Sequence, residues 1–254
     1  MSLTLLALCG FAFVAGFIDS VVGGGGLIQV PALFIILPQM SPAMLLGTNK
    51  FASVWGTGAA AVQYSRKVSM PWHALLPACL AAFGFSFIGA HTVSALRPEV
   101  LRPLILALML VVLAYTLWKT DLGALHAPRL TRRHEIATAI VVGSLLGFYD
   151  GFFGPGTGSF LIFAFVGLFG FSFLAASASA KVINLTTNLA AVGYFIFSGN
   201  VLYATALPMA ACNIVGSMIG SQLAIRKGSG YVRLLFIGIV TALILRFAWD
   251  ALRS

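Results

Sequence analysis

Charged side chains are scarce in this sequence, and that scarcity restricts the possible folds more than any other feature. Only 8% of the 254 residues are Asp, Glu, Lys or Arg, whereas 60% are hydrophobic. An average soluble domain carries about a quarter of its residues as charge. So few charges cannot cover a surface that faces water, which excludes a soluble enzyme, a disordered chain and a fibre. We therefore expect a membrane protein.

Long apolar stretches bounded by Pro, Gly or basic residues predict membrane helices. The stretch 27–37 has only eleven residues and cannot cross a hydrocarbon core of about 30 Å. The first two stretches of each half therefore predict a broken or re-entrant helical hairpin. We expect an all-α polytopic membrane protein with about eight to ten membrane segments, at about 20 residues per crossing. The stretches lie at residues 3–18, 27–37, 42–65, 71–95, 99–118, 135–149, 158–176, 178–198, 201–225 and 231–252.

A repeat at a fixed offset of 131 residues relates the two halves of the chain. Residues that are rare in this composition recur in one register, and such repeats are typical of many secondary transporters. We predict a first repeat at 1–118, a cytoplasmic connecting loop at 119–134 and a second repeat at 135–254, all in one membrane domain. The recurring residues include Asp19 and Asp150, Lys50 and Lys181, Arg102 and Arg233, and Trp118 and Trp249.

The net charge of +9 fits the positive-inside rule, because the basic residues mark loops and segment ends. They form no patch with interleaved aromatics, so we expect no nucleic-acid partner. The basic pairs Arg66–Lys67 and Arg226–Lys227 fall at turns that do not correspond in the repeat. Basic loops that change sides between the halves favour an inverted-topology repeat. The expected partners are the lipid bilayer and a small substrate, and an oligomer is compatible with the sequence.

The cysteine and histidine residues lack the spacing of a metal or redox site, so we expect no metal and no cofactor. Cys9, Cys79 and Cys212 all lie in apolar stretches, where cysteine behaves as a small hydrophobic residue.

Two glycine-rich loops, one in each half, follow an aspartate. Glycine lets backbone N–H groups come close to a ligand, and the N-terminus of a following helix favours an anion. Close helix packing through small residues is the alternative explanation. The first loop is a run of four glycines, and a glycine-rich loop beside an acid recurs in the second half, so we favour a binding site. Its candidate loop residues are Gly23, Gly24, Gly25, Gly26, Gly154, Gly156 and Thr157.

Lys50 and Lys181 lie near the middle of the bilayer, because each is about nine residues into its helix at about 1.5 Å per residue. A lysine at that depth is expected to face a cavity or a carboxylate. Polar residues at helical spacing indicate the wall of a polar pathway, with a purely structural interhelical network as the alternative. These residues are Ser53 and Thr57 after Lys50, and Asn184 and Asn188 after Lys181. The candidate substrate-binding residues are Asn49, Lys50, Lys181, Asn184 and Asn188.

Asp19 and Asp150 are the expected counterions, as the pairs Asp19–Lys50 and Asp150–Lys181 within each half. Each pair is either a structural salt bridge or a gate that exchanges the lysine partner for substrate or for a proton. The residues alone leave both interpretations open.

These motifs resemble those of the sulfite exporter TauE/SafE family, also called the 4-toluene sulfonate uptake permease family. The first half has the pattern Gly-x-x-Asp-x-x-x-Gly-Gly-Gly-Gly, then Pro31 and a Gly-Thr-Asn-Lys sequence that ends at Lys50. The second half has Gly-Phe-Tyr-Asp-Gly-Phe-Phe-Gly-Pro-Gly-Thr-Gly, then Ala-Lys-x-x-Asn ending at Asn184. Order and spacing match over nearly the whole chain, most closely in the bacterial branch whose substrates are mostly unassigned. Pro155 and Thr157 replace glycines of the first loop, so the half-sites are not expected to be equivalent.

The resemblance implies a bacterial inner-membrane permease for small anions such as sulfite or organosulfonates. No nucleotide-binding motif is present, so we expect coupling to an ion gradient, with protons as the first choice. One alternative is a transporter of a non-sulfur anion or metabolite. Another is an intramembrane hydrolase that uses Asp19 and Asp150 as a carboxylate pair. The acids are duplicated together with the lysines, which favours a transporter, and we expect no enzyme.

Overall fold

The computed structural model describes residues 3–118 and 130–227, and this part of the chain is all-helical. The all-α prediction is confirmed, and the number of described helices falls within the predicted range. The predicted stretch 231–252 lies outside the described residues. The nine helices of the described ranges are α1 (Leu3–Val22), α2 (Gly26–Ile36), α3 (Pro42–Ser65), α4 (Trp72–Ala95), α5 (Pro98–Trp118), α6 (Arg132–Phe152), α7 (Thr157–Gly167), α8 (Phe173–Phe197) and α9 (Tyr203–Lys227).

Five of the described helices, α1, α4, α6, α8 and α9, are long and apolar enough to cross a membrane. Helices α2 and α7 have eleven residues each. The stretch 27–37 predicts this length for α2, whereas the predicted stretch 158–176 is too long for α7. Helix α3 is as long as α4 but more polar, because its buried face includes Thr48, Asn49 and Lys50. The chain is therefore a multi-pass membrane protein.

The helices of the second half repeat the spacing of the first half. Helices α7, α8 and α9 begin 131 residues after α2, α3 and α4, respectively. The caps repeat as well, because the hydroxyl groups of Ser41 and Ser172 accept the backbone N–H of Met44 and Ala175. Such caps satisfy N–H groups that the first helical turn leaves free. The local sequence thus sets corresponding helix starts in both halves.

The predicted boundary between the stretches 158–176 and 178–198 is wrong. Helix α7 ends at Gly167 and α8 begins at Phe173. Between them Gly170 has a φ of 76°, a backbone conformation that glycine adopts without steric cost and that turns the chain. Because this turn contains aromatic residues, the apolar pattern continues across it and does not indicate the end of α7.

Helices α1 and α9 run in parallel. Gly216 of α9 packs against the backbone of Phe13 in α1. One turn later, Gly220 packs against the backbone of Phe17.

Helix α9 also runs parallel to α3. The hydroxyl group of Ser217 donates to the carbonyl oxygen of Gly56 at 2.5 Å, and that of Ser221 donates to the side chain of Gln63 at 2.9 Å. Since α1 and α3 both run parallel to α9, they share one direction. Helix α2 must then return towards the side on which α1 begins, so α1 and α2 form the re-entrant hairpin that the short stretch predicts.

The corresponding helices α3 and α8 run in opposite directions. Gly47 in the first half of α3 packs against Phe195 near the end of α8, and Gly58 approaches Leu185. The most extensive packing joins the two halves, with α4 against α6 and α1 against α9. The division into repeats at 1–118 and 135–254 with a loop at 119–134 stays a prediction, as does the inverted relation between the repeats.

Candidate functional site

The two lysines predicted to lie deep in the membrane are both buried. Lys50 and Lys181 are the ninth residues of α3 and α8, and they are 3% and 0% exposed. The ninth residue lies about 12 Å along a helix from its start. A buried ammonium group is stable only with a counterion or several hydrogen-bond acceptors.

Each lysine forms an ion pair with the aspartate of the other half. The Lys50 Nζ lies 2.7 Å from Oδ2 of Asp150, and the Lys181 Nζ lies 2.8 Å from Oδ2 of Asp19. The predicted pairs Asp19–Lys50 and Asp150–Lys181 are therefore wrong. Because α3 and α8 pack side by side in opposite directions, each lysine lies beside the hairpin of the opposite half.

The Asp19 carboxylate lies at the start of α2. Its Oδ1 accepts the N–H of Gly25 at 3.3 Å, and its Oδ2 accepts a hydrogen bond from Lys181, which also donates to the Asp19 carbonyl oxygen. The Asp19 side chain is 18% exposed. A helix N-terminus with a nearby cation is the position predicted for a bound anion, and here a carboxylate of the chain itself occupies it.

The Asp150 carboxylate is more enclosed. Its side chain is 2% exposed, and within residues 3–118 and 130–227 its Oδ2 has the ion pair with Lys50 but no hydrogen bond. The Lys50 ammonium also donates to Oδ1 of Asn188 at 3.0 Å, and Asn188 donates to Oδ1 of Asn184 at 3.4 Å. Lys50 thus connects the acid of α6 with the polar face of α8.

A cavity of about 30 Å³ lies between these groups. That volume is about the share of one water molecule in the liquid, so the cavity is too small for an oxyanion of four or more heavy atoms. A substrate of that size requires the surrounding helices to move apart. The cavity is lined by Ala15, Asp19, Gly25, Gly26, Asn49, Lys50, Ser53, Thr57, Asp150, Gly154, Asn184, Asn188 and Asn213.

The cavity brings together most of the predicted site residues and leaves five of them outside its lining. Lys181 does not line the cavity, but it pairs with Asp19, which does. The other four are glycine-loop residues that lie away from the cavity surface. The five residues are Gly23, Gly24, Gly156, Thr157 and Lys181.

Gly23 allows the two hairpins to pack closely against each other. Its carbonyl oxygen accepts the N–H of Ser159 at 3.1 Å, and the carbonyl oxygen of Val22 accepts the Ser159 hydroxyl at 2.7 Å. A Cβ atom on Gly23 would lie 2.3 Å from the backbone of Gly158. Close packing, the alternative explanation of the glycines, therefore accounts for this position.

The sequence did not predict two buried amide side chains near the cavity, those of Asn213 and Gln29. The Asn213 Nδ2 donates to the carbonyl oxygen of Ala12 at 3.0 Å and to Oε1 of Gln29 at 3.1 Å. Both amides are polar residues in apolar stretches, a signal visible in the sequence. They lack polar counterparts in the repeat, where Ala82 and Phe160 stand, so a search for duplicated residues missed them.

Comparisons with known proteins agree over nearly the whole chain. The family described as "Sulfite exporter TauE/SafE" matches residues 8–247. A Sinorhizobium protein called "Probable membrane transporter protein ORF9" is 35% identical over 239 residues, which cover 94% of this chain and 90% of that protein. The Escherichia coli K12 protein called "Probable membrane transporter protein YfcA" is 36% identical over 242 residues, 94% of this chain and 88% of that protein. No solved structure matches the chain.

Proposed function

The chain belongs to the sulfite exporter TauE/SafE family of membrane transporters, and we propose that it is a secondary transporter of a small oxyanion in the bacterial inner membrane. The proposed substrates are sulfite and organosulfonates. The observation that carries the proposal is the pair of buried lysines, each held by an aspartate of the opposite half beside a polar cavity.

In the proposed binding step the oxyanion takes the place of a carboxylate of the chain. Lys50 lines the cavity, so it is the ammonium group that the anion reaches first, and Asn188 lies beside it. Gly25 and Gly26 line the cavity at the start of α2, where backbone N–H groups and the helix dipole attract an anion. An oxyanion with several oxygen atoms can accept hydrogen bonds from the Lys50 ammonium and from the N–H groups at the start of α2 together. Of these donors, the Asp150 carboxylate contacts Lys50 alone.

Charge balance supports protons as the coupling ion. The two lysines and two aspartates of the buried site sum to zero, so an added monoanion leaves one uncompensated negative charge. Burying such a charge is costly. Uptake of one proton by the displaced aspartate, Asp150 or Asp19, restores neutrality, so we propose that an anion and a proton are bound together.

The antiparallel course of α3 and α8 supports the proposed inverted relation between the repeats. In transporters built from inverted repeats, the substrate site lies at the repeat interface, and access alternates when one repeat moves against the other. The lysines, each paired with the aspartate of the other half, support a substrate site at such an interface. We propose that breaking one ion pair releases the hairpin on that side.

The ion pairs also support counterion roles for the aspartates rather than catalytic ones. In a catalytic carboxylate dyad the two acids lie close together and share a proton. In this chain each carboxylate instead contacts a different lysine. We therefore propose that Asp19 and Asp150 take part in gating and coupling, and that the protein is not a hydrolase.

Uptake into proteoliposomes tests the function and the site together. We expect wild-type protein to take up radiolabelled sulfite or an organosulfonate, and the double variant Lys50→Met, Lys181→Met to match empty liposomes. The control is Arg97→Met, which removes an exposed charge at the turn before α5. Full transport by the double variant would contradict the site, whereas a folded wild type that moves neither substrate would contradict the substrate class.

A thermal-unfolding panel identifies the preferred anion. A ligand at 100 times its Kd stabilises the folded protein by about 2.7 kcal/mol. Sulfite, organosulfonates, carboxylates and phosphate are added in turn to detergent-solubilised protein at equal concentration. We expect the largest rise in the unfolding temperature with a sulfur oxyanion. A larger rise with a carboxylate or phosphate would favour the transporter of a non-sulfur anion.

A further inference from the structure

A second, much larger cavity runs along one side of α3, α8 and α9. It has a volume of about 930 Å³, and its walls are mainly apolar. Trp55, Val62 and Leu189 line it and are each about half exposed, so the cavity opens sideways, where a membrane protein meets lipid. We call it the lateral groove.

The lateral groove is long enough for a lipid chain. Along α3 its lining extends from Phe51 to Arg66, a distance of about 22 Å at 1.5 Å per residue. The hydrocarbon core of a bilayer is about 30 Å thick, so the groove is longer than the hydrocarbon layer of one leaflet.

One end of the lateral groove is strongly basic. Arg66, Lys67 and Arg226 line this end, and all three are exposed. None of the residues that the structure describes along its walls is acidic. Three cations at the end of an apolar channel match a molecule with an anionic head and an apolar tail. Basic clusters between membrane helices on the cytoplasmic side bind the head groups of anionic lipids, and the Arg66–Lys67 turn is predicted to face that side.

The lateral groove is separate from the cavity that contains Lys50. On α3 and α8 that cavity is lined by polar residues such as Thr57 and Asn184, whereas the groove is lined by their neighbours Gly58 and Leu185. The two therefore lie on different faces of the same helices. A small hydrated anion would lose its water against the apolar walls of the groove without gaining hydrogen bonds. The groove thus suits an amphiphile and not the proposed substrate.

We propose that the lateral groove binds one anionic phospholipid. An acyl chain lies along α3, α8 and α9, and the phosphate contacts Arg66, Lys67 and Arg226. The inference does not depend on which anion the protein transports.

Native mass spectrometry of the full-length protein in detergent tests the head-group part of the proposal. Phosphatidylglycerol and phosphatidylcholine with the same acyl chains are titrated separately, and we expect one phosphatidylglycerol to bind more tightly. Each basic residue near an anionic lipid contributes about fivefold in affinity. The triple variant Arg66→Gln, Lys67→Gln, Arg226→Gln should therefore weaken phosphatidylglycerol binding about 100-fold. The matched control removes the same charge at exposed positions outside the groove, as Arg97→Gln, Arg132→Gln, Arg133→Gln.

A second variant tests the apolar part and leaves the three cations in place. Among the residues that the structure describes, a Cβ atom on Gly58 meets only Leu185, at an ordinary 3.6 Å, so the larger side chain of Gly58→Leu extends into the groove. We expect it to weaken both lipids while the protein stays monodisperse with an unchanged unfolding temperature. Equal binding of the two lipids by wild-type protein, or full phosphatidylglycerol binding by the triple variant, would overturn the proposal. A crosslink between position 58 and residues 228–254 that still forms after phospholipid is added would also overturn the proposal. In that case the chain itself would fill the groove.

Discussion

The two predicted helical hairpins, α1–α2 and α6–α7, occupy corresponding places in the chain but differ at their tips. The first tip is the glycine run Gly23–Gly26, and its aspartate, Asp19, is 18% exposed. The second tip has the sequence Gly-Pro-Gly-Thr, and its aspartate, Asp150, is 2% exposed. Both aspartates line the polar cavity, but the Asp19 carboxylate is the more exposed of the two.

Side-chain hydrogen bonds stiffen the second tip. The Tyr149 hydroxyl donates to the carbonyl oxygen of Pro155 at 2.8 Å, and the Thr157 hydroxyl donates to that of Gly154 at 2.7 Å. The corresponding residues of the first tip are Ile18 and Gly26, which have no side-chain donor. The first tip therefore has fewer side-chain bonds that resist movement.

The polar residues around the cavity are distributed just as unequally. Asn49 and Asn213 line the cavity on the side of the first hairpin, whereas Ala180 and Ala82 stand at the corresponding positions of the other half. The buried amides Asn49 and Asn213 therefore have no polar counterparts beside the second hairpin. We infer that the first hairpin supplies binding groups and the second supplies a rigid wall.

The largest expected effect comes from Lys50. In Lys50→Met the Asp150 carboxylate stays buried without its partner, which costs about 3–5 kcal/mol. Lys181→Met should cost less, because Asp19 is partly exposed and keeps the Gly25 N–H. The free energy of unfolding in detergent micelles measures both.

A compensating change separates stability from transport at this pair. Adding Asp150→Asn to Lys50→Met removes the buried charge, so most of the lost stability should return while proteoliposome uptake stays absent. If Lys181→Met lowered the free energy of unfolding more than Lys50→Met, the lower exposure of the Asp150 side chain would not explain the difference in stability.

Gly26→Thr gives the first tip the side chain that the second tip has at Thr157. A Cβ atom on Gly26 would lie 3.0 Å from Cα of Pro155, so the change overpacks the contact between the tips at a cost of about 1–3 kcal/mol. We expect uptake to fall about tenfold, because the new side chain narrows the wall of the cavity. The control is Gly167→Thr, where a Cβ atom meets nothing within 4 Å. Uptake at the wild-type rate by Gly26→Thr would show that the open first tip is not needed.

Asn213→Ala removes a polar residue that only the first half-site has. Gln29 then loses a hydrogen-bond donor in a buried position, which costs about 1–2 kcal/mol. Because Asn213 also lines the cavity, uptake should fall as well. Val215→Ala is the control on the same helix, since Val215 is an exposed apolar residue. A variant with lower stability and normal uptake would restrict Asn213 to a structural role.

The smallest expected effect is that of Tyr149→Phe, which removes the hydroxyl bond to Pro155. A single neutral hydrogen bond contributes about 1 kcal/mol, so we expect a small fall in the unfolding temperature with little change in uptake. Tyr203→Phe, at a partly exposed tyrosine of α9, controls for loss of a hydroxyl group. An uptake defect larger than that of Gly26→Thr would mean that the second tip, and not the first, limits transport.

Much of the fold and part of the site followed from local patterns in the sequence. The eleven-residue helix α2, the buried lysines of α3 and α8, and the polar faces beside them are all visible in residue order. The turn at Gly170 was missed because aromatic residues continued the apolar pattern across it. Asn213 and Gln29 were missed because neither is duplicated.

The sequence by itself determined that this chain lies in a membrane, where most of its helices begin and which charged residues they bury. Hydropathy, capping and helical spacing act over a few residues, so these properties can be read locally. Only the tertiary structure decided that Lys50 pairs with Asp150 and Lys181 with Asp19. It also decided that one polar cavity is lined by residues of both hairpins. The physical reason is that an ion pair forms between groups that packing brings together, and here antiparallel α3 and α8 bring each lysine to the hairpin of the other half.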